Sequence, residues 1–344
     1  MRTFKQFEGK SAWTADDFPD DRWVTHLSNE QTTELSQLAQ ALPANENEWL
    51  KLDRASLPLT TLGPLLDSVT EALEAGLGFA LLRGVDLPQS GCHGYSQETW
   101  AYRINWVLAL ALGDVIAQNA QGEVIGAVQA VVKASDNGMD TRGYVSNAEL
   151  RFHCDGGDVA SLLCVRQAPE GGYNSLVSMH TIHNIMAKEC PQHLSTLYRG
   201  LPMFMRAEKG LESASLPRQP LFYDRGDHLL AWINLRLMEL PYESAGEPMP
   251  EEERAALDAV EEIAERQSNK LTFKLKPGDM LLTHNHVCMH KRSAFIDEVD
   301  PSRSRLMLRL WYNVPGGRAE AIVPSEKRGG YFMDQPYVIR HTVS

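Results

Sequence analysis

The chain has 344 residues, a formal net charge of −12 at pH 7 and a hydrophobic fraction of 43%. This length and apolar content allow a substantial core, in one large domain or two ordinary ones. The absence of any apolar run of about 18 residues predicts no membrane span. Because the chain has no basic patch or arginine-rich run, nucleic acid is not an expected partner.

The cysteine pattern is typical of a protein in a reducing compartment, because the cysteines are odd in number, scattered, and form no Cys-x-x-Cys pair. They lie at Cys92, Cys154, Cys164, Cys190 and Cys288. The N-terminal segment 1–7 is polar and lacks the apolar core of a signal peptide. We therefore expect a cytoplasmic protein.

The first third of the chain predicts three helices and one short buried strand. In the first helix Leu35, Leu38 and Leu42 form one apolar stripe. Glycines at 76 and 78 end the second helix. The predicted helices span 29–42, 62–76 and 95–112, and the strand spans 79–84.

The remainder alternates several short strands with two further helices. The strands are expected at 162–165, 176–179, 271–275, 280–283 and 305–313, and the helices at 181–189 and 251–268. The period of two in the last strand puts Arg305 and Arg309 on the same face. No glycine-rich loop joins a strand to a helix, which disfavours a dinucleotide-binding fold. We expect an α+β, mainly β protein with a double-stranded β-helix, a cupin-like jelly roll, carrying flanking and inserted helices.

The tripeptide His153-Cys154-Asp155 is a candidate metal-binding motif. On a strand its first and third side chains point to the same side, so both can reach one ion while Cys154 points away. One remote histidine would complete a set that occupies one face of an octahedral iron(II) and leaves open positions. Taken alone the pattern is equally compatible with a buried histidine bonded to a carboxylate. Gly156 and Gly157, which follow, either leave room for a ligand or form an ordinary turn.

Three histidines downstream could supply the remote ligand: His284, His286 and His290. By themselves they could also form a zinc site. Arg305 and Arg309 follow on one strand, and an inward-facing arginine binds a carboxylate through two parallel hydrogen bonds. The alternative is a pair of surface arginines.

Taken together, the motifs resemble the taurine dioxygenase-like (TauD/TfdA) family of the wider clavaminate synthase-like group. The resemblance covers roughly residues 60–315 and implies an iron(II)- and 2-oxoglutarate-dependent oxygenase. The motifs appear in family order at 152–155, 166–172, 277–279, 285–295 and 305–311.

The resemblance implies a role for each candidate residue. The iron ligands are His153, Asp155 and His290. Arg305 holds the distal carboxylate of 2-oxoglutarate, together with Ser175, although the spacing to Ser175 is one residue longer than in taurine dioxygenase. Arg309 matches a position that faces the substrate or assists the co-substrate.

Two segments are candidates for contacts with the substrate. Gln118 and Asn119 fall where relatives place a pocket-lining loop, and they either read a polar group or shape a surface turn. The segment 133–150 is either a lid or a plain surface loop. Arg309 favours a substrate with an anionic group.

The expected reaction consumes O₂ and 2-oxoglutarate at Fe(II), releases succinate and CO₂, and hydroxylates an unactivated C–H bond. The substrate would be a small polar metabolite, such as an amino acid or another carboxylate. Desaturation and ring closure use the same ligands, whereas Asp155 disfavours halogenation because halogenating relatives lack the carboxylate. The rival interpretations are a zinc-dependent hydrolase and a non-catalytic cupin-type binding protein.

We expect residues 1–344 to form a single oxygenase domain. Within it, 1–55 would be a helical extension packed on the jelly roll, 60–315 the family-like core and 316–344 a tail. A small-molecule substrate is the expected partner, with no membrane or nucleic acid, and self-association as a homo-oligomer is possible on sequence grounds.

Overall fold

Two sheets lie face to face, and each carries a layer of helices on its outer side. The structure is a computed structural model that describes residues 3–119, 121–130, 145–205, 214–321 and 337–340. Most of the candidate lid at 133–150 lies outside these residues.

The α-helices of the described residues begin and end as follows: α1 Asn29–Ala41, α2 Leu62–Glu74, α3 Gln97–Leu112, α4 Met179–Glu189, α5 Pro191–Arg199, α6 Leu235–Ala245 and α7 Glu251–Glu265. Short 3₁₀ helices span Ala15–Asp17, Asp21–Trp23, Glu46–Lys51, Arg54–Ser56 and Arg318–Ala321.

The strands up to the middle of the chain are β1 Val24–His26, β2 Phe79–Arg83, β3 Asp114–Ile116, β4 Ile125–Val128, β5 Leu150–His153, β6 Val159–Arg166, β7 Glu170–Gly171 and β8 Asn174–Ser178. Those that follow are β9 Leu201–Met205, β10 Ala214–Gln219, β11 Phe222–Asp224, β12 Leu229–Ala231, β13 Leu271–Phe273, β14 Met280–His284, β15 Cys288–Arg292, β16 Phe295–Ile296 and β17 Leu306–Asn313.

The two main sheets form the jelly roll. The larger has the order β1-β2-β14-β6-β17-β3, with β4 also paired to β17, and the smaller has the order β13-β8-β15-β5. Neighbouring strands run antiparallel, except for the parallel pair β1 and β2. Consecutive strands in each sheet are distant in sequence, which is the crossing pattern of a double-sheet roll. The expected fold class is therefore confirmed.

Alternation along each strand divides the core into three layers. In β6, Leu163 packs against helices α1–α3, whereas its neighbour Cys164 faces the smaller sheet. In β8, Leu176 faces the larger sheet, and Val177 packs against helices α4–α7. Each sheet is covered on both sides, so its strands are apolar on both faces. The face of each sheet that lines the space between the two sheets is its inner face. The site is built on these inner faces.

Most predicted elements in the first third are confirmed within a few residues. The stripe residues Leu35 and Leu38 are buried on α1, and α3 begins after Ser96, whose side chain accepts a hydrogen bond from the Thr99 backbone N–H. Sequence reasoning did not predict α6, because Pro241 lies inside it and a proline normally interrupts a helix.

The N-terminal segment packs directly on both sheets and their helices. Trp13 is buried in the layer between the sheets and donates from Nε1 to the Leu77 carbonyl at 2.8 Å. Phe7 packs against His183 of α4, with ring centroids 5.1 Å apart. Within the described residues, no helix combines the length and apolarity needed to cross a bilayer.

Two buried histidines of α4 predict how stability depends on pH. Burial, together with the nearby Arg318 and other histidines, lowers the pKa of His180 to about 3. Burial lowers the pKa of His183 to about 4. In the unfolded chain both would titrate near the ordinary value of about 6.5. As the pH falls below that value, only the unfolded state gains protons at these two sites.

We therefore expect the free energy of unfolding to decrease on acidification from about pH 6.5 towards about pH 4, by about 1.4 kcal/mol per pH unit for each histidine. Urea unfolding of the metal-free protein across this range measures the slope. The variant His183→Asn should have a shallower slope, and an identical slope in both proteins would contradict the assignment.

Candidate metal centre

Antiparallel pairing brings the two candidate histidine ligands together. His290 of β15 is directly opposite His153 at the end of β5, and their ring centroids are 4.4 Å apart. His290 also pairs with Leu176 of β8, which points into the space between the sheets. Directly paired residues share a face of the sheet, so both imidazoles point to the inner side.

Asp155 joins the histidines from a loop, because β5 ends at His153. The expectation that the whole motif lies on one strand is therefore wrong at its last residue. The Asp155 backbone N–H donates to Oδ1 of Asn285 at 3.1 Å, and Nε1 of Trp232 donates to the Asp155 carbonyl at 3.0 Å. Asn285 also donates from Nδ2 to the Gly156 carbonyl at 2.9 Å. These bonds hold the loop in the orientation that a strand would have given.

Cys154 points away from the histidines, as the alternation predicts. Its backbone N–H donates to the Ile233 carbonyl at 2.8 Å. Its side chain is buried in the layer beneath helices α4–α7, where Sγ lies 3.9 Å from Sδ of Met179.

Ligand atoms of His153, Asp155 and His290 lie within 4.8 Å of one another, and among the described residues no other group of three such side chains meets that limit. The Nδ1–H of His153 donates to the Arg151 carbonyl at 2.7 Å, which leaves Nε2 as the metal-facing nitrogen. Burial, reinforced by His290, lowers the pKa of His153 to about 4. The imidazole is therefore neutral near pH 7, as a metal ligand must be.

Arg309 lies beside the carboxylate of the centre. Its Nη1 donates to Oδ1 of Asp155 at 3.0 Å, and its Nε donates to Oε1 of Gln118 at 2.8 Å. Burial alone raises the pKa of Asp155, but Arg309 and the two histidines outweigh it and hold that pKa below its ordinary value. The carboxylate is thus ionised and available to a cation.

Arg305 is a buried cation whose guanidinium is only partly hydrogen-bonded within the described residues. It is 1% exposed, and neither Nη1 nor Nη2 has a hydrogen-bond partner among the described residues. Its Nε donates to Oε1 of Gln167 at 3.1 Å. Burial lowers the pKa of Arg305 to about 10, so the guanidinium stays charged near pH 7 and can accept an anion.

Sequence reasoning missed a second buried arginine, Arg292. It is 5% exposed, and its Nε and Nη1 lack partners within the described part of the chain. Burial and the repulsion of Arg305 lower its pKa to about 9. Both guanidiniums lie within 5.1 Å of the centroid of the Phe295 ring. Arg292 follows His290 by two residues and therefore shares its face of β15, and this spacing could have identified Arg292 from the sequence.

The structure does not bring Ser175 to Arg305. Ser175 pairs with Lys291, the residue after His290, so it lies on the opposite face of the sheet from His290. Its Oγ lies 2.8 Å from Oγ1 of Thr272. Its side chain therefore faces the outer side of the smaller sheet. The neighbouring Asn174 faces the inner side, is 6% exposed, and its Nδ2 has no partner among the described residues.

The two candidate substrate-reading residues lie in a turn before β4. The Asn119 side chain accepts from the backbone N–H groups of Gln121 and Glu123 at 3.1 and 3.2 Å. These bonds favour the turn-shaping alternative for Asn119. Gln118 is 2% exposed and bonds to Arg309, so it lies next to the centre rather than on the surface.

The remaining histidines of the zinc alternative have other neighbours. Nε2 of His284 lies 3.3 Å from Oε1 of Glu74, and Nδ1 of His286 lies 3.3 Å from the Ala231 carbonyl. Neither belongs to the group of three ligands. The structure therefore gives no support to the zinc interpretation.

Gly156 is required by the packing of Trp311. A Cβ at this position would lie 2.7 Å from the Trp311 ring. Trp311 is on β17, where its ring also lies 4.6 Å from the Arg309 guanidinium.

Two imidazoles and one carboxylate on one side of a prospective ion, inside a jelly roll, define a non-haem iron oxygenase. The donor set suits the ion, because the His153 imidazole is neutral and the Asp155 carboxylate is ionised. The profile of the family "Taurine catabolism dioxygenase TauD, TfdA family" matches residues 39–311. The chain belongs to this family, and it is accordingly a 2-oxoglutarate-dependent iron enzyme.

Two relatives extend the match over most of the chain. FR-33289 synthase of Streptomyces rubellomurinus is 33% identical over 318 residues, which cover 91% of this chain and 92% of that protein. The taurine hydroxylase-like protein SAT17 of Stachybotrys chartarum is 26% identical over 324 residues, covering 87% and 77% respectively.

Solved structures share the fold at lower identity. Asparagine oxygenase, in complex with Fe(II), 3-hydroxyasparagine and succinate, aligns with a TM-score of 0.65 and 18% identity over 89% of this chain and 98% of that one. The non-haem iron oxygenase OrfP, in complex with Fe and α-ketoglutaric acid, aligns with a TM-score of 0.61 and 15% identity over 84% and 94%.

Replacing Gly156 with alanine should destabilise the protein and weaken metal binding. The added methyl group would overlap the Trp311 ring, and overpacking of this kind costs about 1–3 kcal/mol. Gly63→Ala in α2 is a matched control, because its Cβ would make an ordinary 3.4 Å contact with Leu59. Urea unfolding and Mn(II) titration measure the two effects. Equal behaviour of both variants would contradict the packing role.

Proposed function

We propose that the protein hydroxylates an unactivated C–H bond of a small polar metabolite, an amino acid or another carboxylate. The reaction consumes O₂ and 2-oxoglutarate and releases succinate and CO₂. One observation carries this proposal: the three metal ligands share the space between the sheets with a buried arginine, Arg305, whose Nη1 and Nη2 have no hydrogen-bond partner among the described residues.

The centre would be assembled from residues with distinct tasks. His153, Asp155 and His290 would hold Fe(II), which supplies oxygen activation when bound. Arg305 would bind the distal carboxylate of 2-oxoglutarate, since an anion there would compensate a buried charge and accept hydrogen bonds from Nη1 and Nη2, which lack partners among the described residues. The hydrogen-bonded loop around Asp155 would keep the ligands fixed.

We assign the second contact to the distal carboxylate to Asn174 rather than Ser175. Asn174 lies on the inner face directly opposite Arg292, and its unpaired Nδ2 is a donor of the right chemistry for a carboxylate oxygen. The Ser175 hydroxyl is already bonded to Thr272 on the other face.

The substrate class rests on two lines of support. Arg309 offers a cationic group beside Asp155, which suits a substrate with an acidic group. The solved asparagine oxygenase and OrfP structures contain hydroxylated asparagine and hydroxylated arginine, respectively. Amino acids are therefore the first candidates for a screen that measures succinate release.

The domain organisation belongs to the same proposal. A single oxygenase domain over 1–344 is supported by the packing of Trp13 and Phe7 against the sheets and α4. Cytoplasmic location and self-association stay predictions from composition and family resemblance.

Anaerobic titration with Fe(II) and 2-oxoglutarate tests the assignment of the centre. The wild-type protein should give the weak visible charge-transfer band of the iron chelate. His153→Ala should lose the band, because one of the two imidazole donors is removed. His286→Ala should retain it, because His286 lies outside the ligand group. A folded wild-type protein without the band, or loss of the band in both variants, would contradict the proposal.

Paired substitutions test the carboxylate contact. Asn174→Ala should raise the Kd for 2-oxoglutarate by about 10- to 100-fold, since a hydrogen bond to a charged group contributes about 1.5–3 kcal/mol. Ser175→Ala should leave that Kd unchanged while lowering the free energy of unfolding by about 1 kcal/mol. Titration of the chelate band gives the Kd. The opposite pattern would restore the role that the sequence assigned to Ser175.

A further inference from the structure

We propose that Gln118 is a positioning residue that acts through Arg309 on the carboxylate of Asp155. Its effect is to fix which carboxylate oxygen faces the metal. This inference rests on the proposed function, because it requires a metal ion at His153, Asp155 and His290. It differs from the expectation that Gln118 reads the substrate.

Both the nitrogen and the oxygen of the Gln118 side-chain amide are hydrogen-bonded. Its Nε2 donates to the Val124 carbonyl at 2.7 Å and to the Arg309 carbonyl at 2.8 Å. Its Oε1 accepts from Nε of Arg309 at 2.8 Å. The same residue thus holds both the backbone and the side chain of Arg309. A buried amide engaged in this way constrains its partner more than it could recognise a diffusing molecule.

A glycine on the adjacent strand makes room for this arrangement. Gly126 of β4 is paired with Arg309 of β17. A Cβ at position 126 would lie 2.9 Å from Oε1 of Gln118. The strand that neighbours Arg309 therefore carries no side chain where the amide lies.

Arg309 is held on three sides. Gln118 bonds to its Nε, the Trp311 ring lies 4.6 Å from its Cζ, and its Nη1 reaches Asp155. Rotation of Nη1 away from the carboxylate would break the hydrogen bond between Nε and Gln118. The position of the Asp155 oxygens therefore depends on Gln118.

The two oxygens of Asp155 have different neighbours. Oδ1 lies 3.0 Å from Nη1 of Arg309, whereas Oδ2 lies 3.4 Å from it and 3.5 Å from Nε2 of His290. Oδ1 thus makes the shorter hydrogen bond to the guanidinium, whereas Oδ2 makes a longer one and is also the oxygen nearer to His290. A carboxylate held in this way offers one oxygen to the metal. If both oxygens bound, one of the positions needed for co-substrate and oxygen would be lost.

A double-mutant cycle on metal affinity tests the inference. The variants are Gln118→Leu, Arg309→Met and the double substitution, and the readout is the Kd for Mn(II) measured by electron paramagnetic resonance. Gln118→Leu should weaken binding by about 10-fold, in the range found for residues that orient metal ligands. In the Arg309→Met background the same change should alter the Kd by less than about twofold, because its path to Asp155 is absent.

Two further variants separate orientation from general destabilisation. Gln97→Leu removes another buried amide, which donates to the Leu87 carbonyl at 3.1 Å, and should lower stability without changing the Kd. Gln118→Glu keeps an acceptor for Nε of Arg309 and should retain more affinity than Gln118→Leu.

Equal weakening by Gln118→Leu in both backgrounds would overturn the inference, as would equal weakening by Gln118→Glu and Gln118→Leu. An unchanged Kd in Gln118→Leu, with weakened binding in His153→Ala, would overturn it while leaving the proposed function intact. A wild-type protein whose Mn(II) binding is insensitive to His153→Ala would overturn both.

Discussion

The antiparallel register that sets His290 opposite His153 is the constraint on which the site depends. Side chains alternate along a strand, so a shift of one residue would move the imidazole of β15 to the outer face and bring a neighbour inward. That neighbour would be Lys291 or Met289, and neither suits the ion. The same register puts Arg292 on the inner face and Ser175 on the outer one. The layers of apolar residues on both sides of the sheet fix this register.

Sequence patterns were sufficient to predict a residue's position where strand periodicity or a local motif determines it. The period of two placed Arg305 and Arg309 on one face, and the family motifs selected His290 over its neighbours. They failed where a tertiary contact decides. Asp155 is one of the predicted ligands, but it lies on a loop rather than on the strand, and a hydrogen bond to Asn285, 130 residues away, holds that loop. The choice between Asn174 and Ser175 depends on a strand register that spacing alone leaves ambiguous by one residue.

The buried charges of the centre form two groups, one of opposite charges and one of like charges. Arg309 and Asp155 form a salt bridge, so this half of the site already contains charges of both signs. Arg305 and Arg292 repel each other, and within the described residues Nη1 and Nη2 of Arg305 and Nε and Nη1 of Arg292 lack hydrogen-bond partners. Burying such cations is unfavourable unless an anion accompanies them. The buried charges of Arg305 and Arg292 are thus the part of the site that a dicarboxylic co-substrate can stabilise. The part around Asp155 is held by the salt bridge to Arg309 before any co-substrate binds.

Cys154 lies between two ligands and yet offers none. Burial raises the pKa of its thiol to about 12, and only the thiolate is an effective ligand or nucleophile. Its sulfur therefore stays protonated at neutral pH, on the opposite side of the backbone from the ion. The donor set consequently remains purely nitrogen and oxygen, which disfavours capture of thiophilic metals such as Cu(I). An enzyme that handles oxygen also benefits, because a protonated, enclosed thiol resists oxidation to a sulfenic acid.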